Sequence, residues 1–306
     1  TDQPSATKRP EDDVPDFTGL KKIVVSGQLA IDSILVHGGT IRNLTMSLSG
    51  ENGLFKLTSL ESDLYQGGIS STGHLDLRPP APASSINFAI KNVQAGPLLR
   101  DFADKNIIEG ALQADIHLTT AGLDPEDIKK SLNGKGDLLF EDGAIIGIDL
   151  AQLARTIKSG FTISQQADRP RTDFAEFHAP FTITNGVVTI KESDLKSPFI
   201  RVKGHGTTDL VNETIDLRLT PKIVGTIKGQ GDEEIRSGIT VPVIVGGTFE
   251  KPTFRPDLEQ LVKEQNIDEE EIAEIIKTGE ISQERKEQLN EELGKAKSLL
   301  KGLFGN

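Results

Sequence analysis

The sequence predicts a mainly β protein: a long antiparallel sheet with a few short helices inserted and a helical C-terminal tail. Three observations predict it. Between Phe17 and Pro256, short runs of alternating apolar and polar residues recur at intervals of about 8–12 residues, the spacing of antiparallel strands joined by turns. Strands do not alternate regularly with helical segments, which argues against βαβ units and a parallel sheet. Aromatic residues make up only 5% of the chain, with one Tyr and no Trp, so aliphatic side chains must supply the apolar surface.

Taken in order, residues 1–16 (TDQPSATKRPEDDVPD) are polar, rich in proline and charge, and without periodicity, which predicts a disordered linker. The segments IVVSGQLAI, TIRNLTMSLSG, LFKLTSL, GISSTGHLDL and INFAIKNV then read as strands with one apolar face. They are broken at Gly38-Gly39, Glu51-Asn52-Gly53, Gly67-Gly68 and Pro79–Pro82. The series resumes with ALQADIHLTT, GKGDLLFEDG, APFTITNG, VVTIKES, FIRVKGHGTTDL, TIDLRLTP and ITVPVIVGGTF. Three helices interrupt it. Gly96–Lys105 carries Leu98, Leu99 and Phe102 on one face. Asp124–Leu132 has an Asp cap, Pro125 at its first position and acids in its first turn. The third helix is expected over Asp149–Ser159, followed by a polar loop over Ser164–Thr172.

Within Gly134–Leu153 (GKGDLLFEDGAIIGIDLAQL) the order of residues predicts a strand, a hairpin turn at Asp142-Gly143, a short second strand and a helix. A looser repeat, Gly-x-Leu-x-Ile/Leu, recurs at Gly27, Gly73, Gly110 and Gly136 and less clearly at Gly206. It marks hairpin-sized units that stabilise one another as neighbours. From residue 257 to 306 the chain changes character. Thirteen acids and seven bases accompany apolar residues at helical spacing, among them Ile272, Ile275, Ile276, Leu289, Leu293, Leu300 and Leu303. This predicts two or three amphipathic helices. The chain therefore divides into a linker (1–16), a β domain (17–256) and a charged tail (257–306).

Composition excludes several functions. A net charge of −12 argues against nucleic acid as a partner, because nucleic-acid affinity rests on a basic surface. The absence of cysteine removes disulfides, thiol catalysis and thiolate metal sites. His37, His74, His117, His178 and His205 are scattered without metal-ligand spacing, and no metal or cofactor is expected. Glu141-Asp142 and Glu192/Asp194 are the nearest thing to acid–base pairs, but Asp142 suits turn geometry, so no catalytic residue is assigned. Gly204-His205-Gly206 and Gly229-Gln230-Gly231 lack the strand–glycine loop–helix context of a phosphate cradle. No apolar run approaches the roughly 20 residues that span a bilayer. With Thr1 at the start and no signal peptide, an upstream targeting segment is expected.

One-faced strands with so few helices leave two arrangements, a sandwich whose halves cover each other or a sheet curled into a trough. Composition and periodicity alone favour the sandwich, since closed cores are the common outcome, while the lack of a central Trp or Tyr and the glycines within strands pull toward the trough. GDLLFEDGAIIGIDLAQLAR resembles a signature of the AsmA family of Gram-negative envelope proteins, a glycine-led strand, a "DGAI-GIDL" turn and a helix. FAEFHAPFTITNGVVTIKESDLKSPFIRVKGHGTTDLVNETIDLRLTPKIV and VPVIVGGTFEKPTFRPDL resemble later segments of that family in the same order. The resemblance spans about Gly96–Leu258, with weaker likeness back to Phe17. It implies the curled form: a repeating β-groove (β-taco) whose apolar trough conducts phospholipid between inner and outer membranes. It further implies a periplasmic location with an inner-membrane anchor upstream.

Under that reading, the lipid-facing candidates are Met46, Leu48, Phe55, Leu57, Leu75, Leu77, Phe88, Ile90, Ile116, Leu118, Phe140, Phe181, Ile183, Ile200, Val202, Leu217 and Leu219. Phospholipid is the expected partner, with outer-membrane or periplasmic envelope proteins as further partners. The rival expectation is a non-catalytic scaffold that influences outer-membrane protein assembly through its sheet edge or acidic tail. A more distant one is an enzyme acting on envelope polysaccharide.

Overall fold

A computed structural model describes residues 17–150, 170–198, 200–223 and 242–257. The expected linker 1–16, nearly all of the third helix and almost the whole tail 257–306 lie outside the described residues. After a 3₁₀ turn at Leu20–Lys22 the chain forms β1 (Val25–Val36), β2 (Gly39–Glu51), β3 (Leu54–Leu64), β4 (Gly67–Asp76) and β5 (Ala83–Gln94). Helix α1 (Ala95–Ala103), β6 (Ile108–Ala121), α2 (Pro125–Ser131) and β7 (Asn133–Ile146) follow. The chain continues with β8 (Arg171–His178), β9 (Phe181–Thr184), β10 (Val187–Lys196), β11 (Ile200–Asp209), β12 (Thr214–Ile223), β13 (Val243–Gly247) and β14 (Pro252–Pro256).

All fourteen strands belong to one antiparallel sheet, ordered nearly as the sequence runs. Strands β8 and β9 fill a single position between β7 and β10, broken at Pro180, which has no N–H to donate. At about 4.8 Å per strand the sheet extends about 60 Å. Because consecutive strands run in opposite directions, it has two rims of different construction. One rim is closed by tight turns at Asn52-Gly53 and Asn185-Gly186, by the 210–213 and 248–251 turns, and by α2. The opposite rim carries α1 and the long connections after β7 and β12.

Both central residues have positive φ at His37-Gly38, Asn52-Gly53, Tyr65-Gln66 and Asn185-Gly186, the geometry that matches the twist of paired strands. Two of the expected breaks are displaced by this. Gly39 and Gly67 begin strands, and Tyr65-Gln66 makes the turn in front of Gly67. Gly67 is required for close approach rather than for turning, since a Cβ there would run into the Lys91 and Asn92 backbone.

The expected hairpin at Asp142-Gly143 is absent. Strand β7 passes straight through these residues, and together they oppose Gly110 of β6 alone, which makes a β-bulge. Asp142 takes the positive φ (48°) expected of a turn, but one residue of that kind inside a ladder adds a kink and not a reversal. Asn43 in β2 and Asn92 in β5 do the same with φ of 49° and 54°, again nearer the rim that carries α1. These bulges bend the sheet along a line parallel to its long axis.

Two strands were not expected. Strand β8 takes up Arg171 and Thr172, which had been assigned to a loop, and extends to His178. Strand β14 is a short segment held between prolines. Helix α1 follows the expected span and ends on Asp104 in the left-handed conformation (φ 52°). Helix α2 opens on Asp124 with Pro125 at its start, as its sequence requires.

The buried core is small and lies beneath the α1 rim. Ala95, Leu112, Ala114, Phe140, Leu150, Phe174, Leu195, Ile200 and Val202 form one cluster. Phe177 stacks on Phe140 at 5.9 Å between ring centroids and meets Phe174 edge-on at 6.0 Å. Thr172 ties in the chain that leaves β7. Its Oγ1 accepts from the Leu150 N–H at 3.0 Å and donates to the Ile148 carbonyl at 2.7 Å.

The glycines separate steric from conformational need. A Cβ on Gly143 would collide with the Glu109 carbonyl and the Phe174 ring, whereas one on Gly27 would meet nothing within 4 Å. Gly143→Ala is expected to destabilise the fold by about 2–3 kcal/mol in urea unfolding, and Gly27→Ala to leave it within about 0.5 kcal/mol.

Candidate functional site: an apolar trough

The register of the sheet assembles the site. Residues directly opposite one another across antiparallel strands share a face. Following those pairs along the sheet gives one row of Leu48, Leu57, Gly73, Ile86, Leu118, Gly134, Ile183 and Val188. A neighbouring row runs from Leu29 through Met46, Leu60, Ser71, Phe88, Ile116, Gly136 and Phe181, and on the far side Ile190, Gly206, Leu217, Val245 and Phe254 extend it. The opposite face is polar. Lys56, His74 and Ser85 stand side by side there, as do Asn87, His117 and Lys135.

Glycines punctuate the apolar rows, and larger neighbours lie over them. A Cβ on Gly136 would stand 2.5 Å from the Phe181 ring, one on Gly134 2.9 Å from Leu118 and one on Gly204 3.0 Å from Leu219. Each glycine lets the facing side chain lie down along the sheet. The lining is therefore smooth hydrocarbon rather than a set of separate pits.

Sixteen of the seventeen expected lining residues belong to strands on this apolar face, and Leu77 directly follows β4 in the same alternation. They are not equally accessible. Met46, Leu48, Phe55, Leu57, Leu75, Phe88, Ile90, Ile116, Leu118, Phe181, Leu217 and Leu219 are half-buried. Leu77 (1% exposed), Phe140 (8%), Ile183 (7%), Ile200 (2%) and Val202 (4%) are covered by protein, which corrects the expectation for these five. Phe140, Ile200 and Val202 belong to the cluster that contains Leu150, so the lining is sealed beneath the α1 rim; Leu77 and Ile183 are covered toward the other rim, and the surface between stays half-open. The half-burial of the remainder corrects the sandwich that composition and periodicity favour. A sandwich would bury these residues fully.

Two clefts adjoin these rows. One of 430 Å³ is lined by Met46, Leu48, Phe55, Leu57, Leu75 and Ile86 with their neighbours. The other, of 650 Å³, touches Leu60, Phe88, Ile116 and Phe181 but is lined mostly by the alternating polar positions, among them Asn87, Asp115, His117, Lys135 and Asp137. Alternation over longer runs could have identified the missed members Leu29, Ile86, Ile190 and Val245, whereas Leu60 is out of phase with Leu57 and reaches this face only through the bulge between them. Phe174 and Phe177 were missed because the strand that carries them follows a long polar stretch.

Polar side chains outside the trough hold the fold. Glu141 accepts from the Gln113 amide at 2.6 Å, and Glu192 accepts from Lys203 at 2.6 Å, which lowers the Glu192 pKa. His117 bonds the Asn87 side chain at 2.7 Å, and His178 bonds Asp137 at 2.9 Å. Among the described residues no three His, Cys, Asp or Glu side chains converge as a metal site would require. None of the described helices is long and apolar enough to cross a membrane.

At the α1 rim the Tyr65 hydroxyl donates to Asp101 of α1, and the Phe102 ring stands edge-on to Tyr65 and to His37. Burial first, and then the bond to the Asp101 carboxylate, push the Tyr65 pKa from 10.0 up to about 12. At the other rim Arg78 grips Asp76 through two side-chain bonds of 2.8 and 2.6 Å and holds that carboxyl at about 2, against an ordinary 3.8.

A profile of the AsmA family matches residues 6–193 of the chain, more than half its length. The chain belongs to the AsmA family. Protein AsmA of Escherichia coli (strain K12) is 21% identical to it over 261 residues, which cover 84% of this chain and 42% of that protein. This AsmA-family chain thus spans less than half the length of its curated relative. No solved structure matches it significantly. The profile takes in the strands from β1 to most of β10, and with them nearly all of the two clefts. Membership supports a membrane-associated role in the bacterial envelope.

Tyr65 is the only tyrosine and the chain has no tryptophan, so phenolate absorbance reports this one group. Its midpoint is expected near 12 and should fall toward 10.0 in Asp101→Asn, checked by spectrophotometric titration. Asp76 has a depressed folded pKa, so its stabilising contribution is complete above about pH 4 and is lost as pH falls toward 2. Arg78→Ala should return its titration, followed by NMR, to near 3.8.

Proposed function

We propose that this AsmA-family chain is the periplasmic part of an inner-membrane-anchored protein that holds phospholipid acyl chains in its trough and conducts lipid between the two membranes. The observation that carries this reading is the apolar row from Leu48 through Leu57, Gly73, Ile86 and Leu118 to Gly134, which crosses six strands while remaining half-exposed to solvent. Each buried methylene is worth about 0.8 kcal/mol, so a chain of about sixteen carbons gains about 10 kcal/mol from a dry lining. A lining without a localised polar anchor offers similar free energy at successive positions, which favours sliding over trapping. Aliphatic residues and flattened rings over glycine suit a flexible hydrocarbon better than a rigid ligand. Movement of lipid needs no bond to be made or broken, and of the carboxylates weighed as acid–base pairs Glu141 is bonded by Gln113, Glu192 by Lys203, and Asp142 stands in a bulge.

Mass spectrometry of organic extracts from the purified protein tests the reading. Phospholipid at substantial occupancy is expected. A lipid-free protein bound stoichiometrically to another polypeptide would overturn it in favour of a scaffold. Ile116→Asp and Phe181→Asp place a charge in the middle of the open row. Each is expected to lower vesicle-to-vesicle transfer of a fluorescent phospholipid by more than about tenfold, with circular dichroism unchanged, whereas Ile116→Val should retain it.

A further inference from the structure

The two apolar rows change character at β9. From β2 to β6 their apolar members are half-buried throughout, from Met46 and Leu48 to Ile116 and Leu118. In β7 both rows reach a glycine, and in β9 they reach Phe181 beside Gly136 and Ile183 beside Gly134. From there on half-buried Ile190 and Leu217 alternate with Ile183 and Val245, each 7% exposed. Phe181 therefore stands where the open lining gives way to a partly covered one. Its ring fills the hollow left by Gly136. A Cβ on Gly136 would lie 2.5 and 2.6 Å from two atoms of that ring and 3.2 Å from the Ile116 side chain, with no backbone atom among these three nearest. Gly73, by contrast, is pressed by the Ser85 carbonyl. Gly136 is not in the left-handed region either, so only the ring requires a glycine there. Little else holds the ring. Phe181 opens a four-residue strand directly after Pro180, and among the described residues no other aromatic ring packs against it, unlike Phe140, Phe174 and Phe177.

We infer that Phe181 sets passage along the trough, an inference that rests on the transport reading. The side chain has more than one staggered well at χ1. Over Gly136 the ring lies along the sheet and continues the level of Ile116, so a hydrocarbon chain meets no step. In another well the ring stands away from the sheet and projects beyond the aliphatic neighbours in its row. Raised, it closes the way between the open lining and the part from β9 onward. Gly136 keeps the ring down, and its lack of a side chain serves passage rather than folding. Phe55 over Gly50 repeats the pairing, but beside the Asn52-Gly53 turn and off both rows, where a raised ring leaves them clear.

Transfer of a fluorescent phosphatidylethanolamine by the full chain, between vesicles of phosphatidylethanolamine and phosphatidylglycerol, tests this alongside mass spectrometry of the extracted lipid. Gly136→Ala puts a methyl group under the ring and is expected to lower transfer by at least about fivefold, with the extracted phospholipid unchanged. Gly136→Ala/Phe181→Leu, whose shorter side chain clears that methyl group, is expected to recover most of the transfer. Phe181→Trp raises the same obstacle without altering β7 and should slow transfer likewise, which keeps the test open if Gly136→Ala does not fold. Gly136→Ala and Phe181→Trp variants that transfer lipid like the parent overturn the inference, and a lowered unfolding midpoint beside unchanged transfer marks the pair as purely structural. A loss that the second substitution does not relieve also overturns it. A parent chain that neither holds nor transfers phospholipid removes the transport reading itself, whereas a parent that transfers lipid past an indifferent Gly136→Ala removes only the role of Phe181.

Discussion

A sheet with hydrocarbon on one face and polar groups on the other works only if every strand presents the same face to the same side. Strand side chains alternate with period two, so a slip of one residue anywhere would turn all later apolar positions outward. Most constraints in this molecule follow from that one. Tight turns with positive φ at both central residues hold the register between β1 and β2, β2 and β3, β3 and β4, and β9 and β10. Where a strand must gain an odd residue to bend, the bulge absorbs it and the alternation resumes in phase. Ile90 and Val93, three residues apart in β5, face Ala114 and Leu112, two apart in β6, and so remain on the apolar face.

Bending and lining are thus solved by the same residues. The bulges at Asn43, Asn92 and Asp142 lie toward the rim where α1 and the chain after β7 sit, and there the apolar surface is sealed by Leu150 and the Phe140–Phe174–Phe177 group. Away from that rim the strands pair with few interruptions and the face stays half-open as far as Leu77 and Ile183, which are covered toward the other rim. One wall of the trough is a packed core and the remainder is a hydrocarbon surface available to something else. This division limits where substitutions are tolerated. Leu195 and Val202 are structural, whereas Met46, Phe88 and Ile116 keep part of their surface free.

The glycine repeat acquires a physical meaning in this geometry. In the units that start at Gly27, Gly73, Gly110 and Gly136, the glycine and the residues two and four places later stand on the lining face. At Gly136 the glycine is the low point over which the Phe181 ring lies, at Gly73 and Gly110 it admits close approach of the neighbouring backbone, and at Gly27 a Cβ would meet nothing; the following leucine is the next patch of lining. The spacing is irregular because α1, α2 and the long connections are inserted between strands without disturbing their order.

Much of this was legible in the chain itself. Alternation determined that the protein is an antiparallel sheet and which parity of each strand is apolar, because period-two patterning is local and survives any tertiary arrangement. All seventeen lining candidates keep that parity. The helices at Ala95 and Pro125 were likewise legible, the second from Pro125 at its start and the acids Glu126 and Asp127 of its first turn, although the Asp124 side chain makes no capping bond. Tertiary structure alone decided that Asp142-Gly143 bends a strand without reversing it, since a turn and a bulge use the same left-handed residue and differ only in whether a partner strand lies opposite. It also decided that Phe140, Ile200 and Val202 are covered while Ile116 and Phe88 are open. Coverage depends on contacts between residues distant in the chain, such as Leu150 with Phe140 and Val202, and such contacts leave no mark on the local spacing of either segment.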